Sequence, residues 1–160
     1  MKTKRRGRTP ELPFAFWDSS AVVPLCGIQR QSAQTRQMAR TYRLVVWWGT
    51  SIEVMSAFYR LKRDSKLTSV EVLQSIARLD ILRARWDEVT PSASIREQAE
   101  RLLGLHKLRA ADSVQLAAAL DWCSNRPRGR SFIGGDGDLL NAADAEGFTC
   151  FRIHWSKRSP

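Results

Sequence analysis

Short apolar runs alternate with amphipathic stretches along the chain. Phe14-Ala-Phe-Trp17 is wholly apolar and stops at Asp18, the pattern of a buried strand. Residues 20–26 and 29–41 read as two helices separated near Gly27. Leu44-Val-Val-Trp-Trp48 is a second β-rich run, halted by Gly49-Thr50. Beyond it, Ile52, Met55, Ala57, Phe58 and Leu61 fall on one helical stripe, and residues 69–84 repeat that period with Val70, Leu73, Ile76, Ala77 and Ile81. Residues 86–90 predict a third short strand, closed by Pro91. Helices are expected over 94–104 and 108–122, with Gly104 as the break between them. Ser131-Phe-Ile133 and Phe148-Thr-Cys-Phe151 complete the strands around a helix at 138–146. Such alternation argues for a parallel, three-layer α/β domain. Ligands of such domains bind beyond the carboxyl ends of the strands.

Four carboxylates fall at or near those ends. Asp18 follows the first strand directly, and Glu53 opens the helix after the second. Asp112 sits early in the Ala/Leu-rich helix, and Asp136 follows Phe132-Ile-Gly-Gly135. Carboxylates gathered together repel one another unless cations neutralise them, and hard oxygen donors suit Mg²⁺ or Mn²⁺. Each acid also has a plainer use. Thr50-x-x-Glu53 fits a capping box, as do Thr68-x-x-Glu71 and Ser94-x-x-Glu97, where no chemistry is assigned. Asp136 or Asp138 suits a helix N-cap, and Asp112 could pair with Arg109. Placement, more than any single acid, carries the signal.

Charge sharpens the choice of partner. The 160 residues contain 26 Lys and Arg against 16 Asp and Glu, a net +10. Five positive charges lie in residues 1–10 and three in 152–160, leaving 18 basic against 16 acidic side chains between them. Basic tails suggest a polyanionic partner, while the near-balance of the rest excludes a histone-like body. No run is long and apolar enough for a membrane helix or a signal peptide. Cys26, Cys123 and Cys150 show no ligand spacing and read as small hydrophobes in a reducing cytoplasm. With only His106 and His154 available, histidine-based nucleophilic chemistry has little support.

Four blocks together resemble the PIN-domain ribonucleases, and within them the VapC toxins of type II toxin–antitoxin pairs. They are FWDSSAVVPL (16–25), TSIEVMSAFYRL (50–61), LRAADSVQLAAAL (108–120) and FIGGDGDLLNAADAEGF (132–148). The resemblance implies a three-layer α/β/α PIN-like domain over 14–152, with a parallel sheet of about five strands and basic tails at 1–13 and 153–160. It places Asp18, Glu53, Asp112 and Asp136 in the acidic site that holds Mg²⁺ or Mn²⁺. Asp138, Ser20 and Arg109 are accessory. It further implies metal-dependent cleavage of RNA, a small antitoxin partner, a homodimer and a cytoplasmic location. One position departs from the family, which often has Thr or Ser where Gly134 stands. A PIN-like module that only binds protein or RNA, or a housekeeping RNA-processing nuclease, is therefore the alternative.

Other classes fit less well. A phosphoacceptor receiver needs an acidic pair near its first strand and a Lys after its last, and neither is in place. A first-strand Asp-x-Asp phosphatase fails because the sequence reads Asp18-Ser-Ser20. Arg126, Arg128 and Arg130 precede the fourth strand and so belong at its amino end, away from the acids. Lys107 and Arg109, beside Asp112, are better placed to meet phosphate. Trp47-Trp48 suits a packed aromatic pair more than a base-stacking platform. Exposed apolar positions on the helices at 50–61 and 69–84 would suit an antitoxin helix, though core packing explains most of them equally.

Overall fold

A computed structural model describes residues 11–27 and 33–153. The strands are β1 (Phe14–Trp17), β2 (Arg43–Trp47), β3 (Asp87–Val89), β4 (Ser131–Gly134) and β5 (Thr149–Arg152). Between them run α1 (Ser19–Cys26), α2 (Ala33–Thr41), α3 (Thr50–Arg63), α4 (Ser69–Arg83), α5 (Ala93–Leu105), α6 (Ala110–Trp122) and α7 (Gly137–Glu146). The strands form one parallel sheet in the order β3-β2-β1-β4-β5. This is the three-layer α/β/α, PIN-like architecture expected from the alternation of elements. The tail segments 1–10 and 154–160, and the start of the helix expected at 29–41, lie outside the described residues.

Strand residues alternate between two cores. Phe16, Val45 and Phe132 pack on one face with side chains of α5, α6 and α7. Ala15, Trp17, Val46 and Ile133 pack on the other with α1, α3 and α4. Both faces being covered explains why the strands read as continuous apolar runs. Strand order reverses at β1 and β4, which are neighbours although β2, β3 and six helices lie between them in sequence. Their carboxyl ends therefore border the crevice where such sheets bind ligands.

Local differences from the sequence pattern have physical reasons. Gly104 does not break the helix at its position; α5 continues through it to Leu105, and nothing lies within 4 Å of where its Cβ would be. The chain leaves the helix at His106 instead. In α4 the buried stripe is Val72, Ser75 and Leu79, while Val70, Leu73 and Ile81 are exposed. Ile52 of α3 is exposed too. These helices carry apolar residues on two faces, so periodicity alone does not say which one packs. The capping box at Thr68 and Glu71 forms in full. The expected cap at Ser94 does not; Ser92 caps α5, its Oγ accepting from the Ile95 amide at 3.1 Å. Among the described residues no helix is long and apolar enough to cross a membrane.

Candidate active site

All four predicted acids come from elements that end or begin at the carboxyl edge of the sheet. β1 and β4 are locked there by parallel pairing, and the Asp18 amide extends it by donating to Ile133 O at 3.0 Å. Asp18 is the N-cap of α1, yet its side chain does not cap the helix. Its carboxylate turns inward, only 3% exposed. Ser19 Oγ donates to its Oδ1 at 3.2 Å, and Ser20 Oγ donates to its Oδ2. Burial pushes the Asp18 pKa up to about 6; the Ser20 hydrogen bond opposes the rise and the Glu53 charge adds to it.

Glu53 does not cap α3. Gly49 is the N-cap, without a side-chain bond, and the Thr50 hydroxyl is buried without a partner. The Glu53 carboxylate instead accepts from Ser19 Oγ at 2.6 Å and from Gln115 Nε2 at 3.2 Å. Its pKa is raised, first by burial and less by the nearby Asp112 charge. Asp112, in the first turn of α6, is also raised by burial and then by the Asp136 charge. Asp136 caps α7, its Oδ1 accepting from the Leu139 amide at 3.0 Å. The acids thus form a chain of mutually repelling neighbours, Asp18 to Glu53 to Asp112 to Asp136. Glu53, Asp112 and Asp136 line one cleft of about 660 Å³, together with Ser19, Ser20 and Arg109.

Asp138 lies outside that cleft and pairs with Lys107 at 3.6 Å across exposed side chains. Ser20 is more central than its sequence position suggested. Its Oγ also accepts from the Gly135 amide at 2.7 Å, tying the turn after β1 to the turn after β4. A Cβ on Gly134 would come 3.4 Å from Asp18 Oδ2, so a hydroxyl there would address the oxygen that Ser20 already serves. Sequence reasoning assigned no role to Ser19, to Gln115, or to Arg60, which also lines the cleft. Gln115 had a signal, an amide three residues after Asp112 on a helix otherwise rich in Ala and Leu; its Oε1 is buried and unpartnered. Arg126, Arg128 and Arg130 stay away from the cleft as expected, with Arg130 stacked over Trp122. The three cysteines are free thiols, and burial pushes Cys26 up to about 12 and Cys150 to about 11, against any nucleophilic role.

The donor set is all carboxylate, which matches the preference of a hard divalent cation. Among the described residues no three acidic, histidine or cysteine side chains stand close enough to form a ready-made metal cage. An ion there would take few direct carboxylate ligands and complete its shell with water, the ordinary habit of Mg²⁺.

No family model matches the sequence, and no curated protein matches it. Solved structures do match in fold. A toxin–antitoxin complex from Klebsiella pneumoniae is 18% identical, with a TM-score of 0.58, covering 87% of this chain and 99% of that one. FitAcB from Neisseria gonorrhoeae is 13% identical with a TM-score of 0.61, covering 87% and 97%. A sarcin–ricin-loop-cleaving VapC toxin of Mycobacterium tuberculosis is 18% identical with a TM-score of 0.60, covering 86% and 98%. Nearly the whole described domain therefore has the PIN-like fold of VapC and other toxin–antitoxin proteins.

Proposed function

We propose that the protein is a metal-dependent endoribonuclease acting as the toxin of a toxin–antitoxin pair. The observation that carries this reading is the run of four neighbouring carboxylates at the switch point of a PIN-like sheet. Isolated acids in that position would be costly to bury, and perturbed acids in a cleft mark functional sites. The fold likeness to a VapC toxin that cleaves the sarcin–ricin loop supports RNA as the substrate class.

A bound Mg²⁺ or Mn²⁺ would supply an activated water and stabilise charge developing on a phosphodiester. The protein's part is orientation. Ser19 holds Asp18 and Glu53 with one hydroxyl, and Gln115 fixes the remaining Glu53 oxygen. Ser20 holds Asp18 and the Gly135 backbone, keeping β1 and β4 ends in register. Asp136 spends one oxygen on the helix amide and has the other free for the cleft. The toxin–antitoxin likeness and the exposed apolar Ile52, Val70, Leu73 and Ile81 support an antitoxin segment as partner.

Purified protein with Mn²⁺ should cleave RNA and lose that cleavage in EDTA. Asp112→Asn should lower the rate by about 10²–10³-fold, the scale of removing one electrostatic element from a catalytic site. Undiminished cleavage in EDTA or by Asp112→Asn rejects the reading. The absence of a ready-made cage favours one rival, a PIN-like module that binds without cutting. Calorimetry separates the two, since that module would bind Mn²⁺ no better than Asp112→Asn does.

A further inference from the structure

We propose that Arg60 and Arg109 grip the RNA phosphates flanking the one that is cut, each from its own wall of the cleft. The inference rests on the ribonuclease reading and assigns its substrate contacts. α3 packs on one face of the sheet through Val54 and Phe58, and α6 on the other through Leu116 and Leu120. Asp18 and Asp136 emerge from the sheet edge between those helices. Arg60 stands seven residues after Glu53, two turns along the same face and about 10 Å down the axis of α3. Arg109 is the N-cap residue of α6, one turn before Asp112, and its side chain caps nothing. Both side chains line the same cleft as the acids.

Their lack of partners is informative. Among the described residues neither guanidinium forms an ion pair, although Glu53, Asp112 and Asp136 share the cleft with them. The backbone of Arg109 hydrogen-bonds the Asp112 carboxylate, while its guanidinium tempers that charge only from a distance. Arg43, Arg83 and Arg101 are engaged, with Glu11, Asp80 and Glu146, and arginines without an ion pair among the described residues, such as Arg63 and Arg96, do not line the acidic cleft. A guanidinium presents a planar fork that matches phosphate oxygens, and it stays charged at any working pH. Two such forks, unclaimed and set on opposite walls of an acidic floor, suit a polyanion whose charges recur along its length. An acidic peptide would bring carboxylates onto that acidic floor, whereas a nucleic acid can place one phosphate over the cation and its neighbours on the arginines.

The test compares the full-length wild type with Arg60→Gln, Arg109→Gln, Arg60→Lys and Arg63→Gln. Arg63 shares the last turn of α3 but does not line the cleft, so its variant controls for net charge. Binding of a fluorescent single-stranded oligoribonucleotide is followed against salt in Ca²⁺, and steady-state cleavage is followed in Mn²⁺. Arg60→Gln and Arg109→Gln should each reduce the slope of log affinity against log salt by about 0.7, the loss of one phosphate contact on a single strand. KM should rise about tenfold with kcat nearly constant, the pattern of a contact made equally in ground and transition states. Arg60→Lys should recover the slope, and Arg63→Gln should leave slope and KM unchanged. Cleavage with unaltered slope and KM in both glutamine variants overturns the phosphate assignment alone. The same holds if those variants instead loosen a co-expressed protein partner while RNA binding persists. A wild type that neither binds nor cleaves RNA overturns the assignment together with the ribonuclease reading beneath it.

Discussion

The two ends of α7 hold their acids in opposite ways. At its start Asp136 faces the cleft beside Asp112, whose own proton affinity is raised by burial and then by the Asp136 charge. At its end Glu146 is met by His106 Nε2 at 2.7 Å and Arg101 Nη2 at 3.2 Å. Burial pushes the Glu146 pKa up, but the hydrogen bonds from His106 and Arg101 outweigh it, and the carboxyl ends below its ordinary range. That second cluster makes a favourable contact out of an acid at a helix carboxyl end, where the dipole disfavours negative charge. It anchors α5 to α7 and needs nothing from outside. The cleft cluster is the reverse, a repulsion that hydrogen bonds from Ser19, Ser20 and Gln115 and the charge of Arg109 offset only in part, and that a bound cation would relieve. Self-neutralised acids mark architecture, and unrelieved ones mark a site that awaits a ligand.

The largest expected effect separates the two clusters by pH. The Asp18 pKa is about 6 when folded against 3.8 as its ordinary value. Burial of its charge therefore costs nothing below pH 3.8, grows as pH rises, and is complete above about 6. In EDTA, Asp18→Asn should be more stable than wild type at pH 7 by up to about 3 kcal/mol, with the gap closing toward pH 4. Glu146 has the opposite sign, because a lowered pKa gives stability above the ordinary value that is lost on acidification. Thermal melts across that range check both. An Asp18→Asn protein that is less stable at every pH would break the contrast.

Ser20→Ala should lower Mn²⁺ affinity about 10- to 100-fold by calorimetry, the usual cost of removing a hydrogen bond behind a metal ligand. Glu146→Gln should destabilise the protein by about 1–2 kcal/mol in urea melts, discounted for partial exposure, while leaving RNA cleavage unchanged. Loss of cleavage there would erase the distinction between anchor and site. The smallest effect belongs to Gly104→Ala. Its open surroundings within α5 predict a gain of about 0.5–1 kcal/mol, measured by the same melts.

The fold was legible because both faces of the sheet are covered, which writes each strand as an unbroken apolar run. The acids were legible for a related reason, since each lies where a strand stops or the next helix starts. Glu53 shows the limit. Its spacing from Thr50 fits a capping box as well as a site, and only the approach of Ser19 and Gln115 across the fold decides between them. Arg60 was hidden among three basic residues in the last turn of α3, which look alike as partners of the helix dipole. Which of them enters the cleft depends on the face that Val54 and Phe58 bury. In α4 the same dependence misled the pattern, because Val70, Leu73 and Ile81 are as regularly spaced as the residues that pack.

The buried carboxylate of Asp18 has a consequence for how long a molecule survives. Whatever neutralises the cleft binds the folded chain and not the unfolded one, so occupancy adds to stability by mass action. A molecule with its cleft filled opens less often to proteases, and one without a ligand opens more often. Degradation would thus fall first on the unliganded copies. A buried acid beside the cleft would then make the lifetime of the protein a measure of what it has bound.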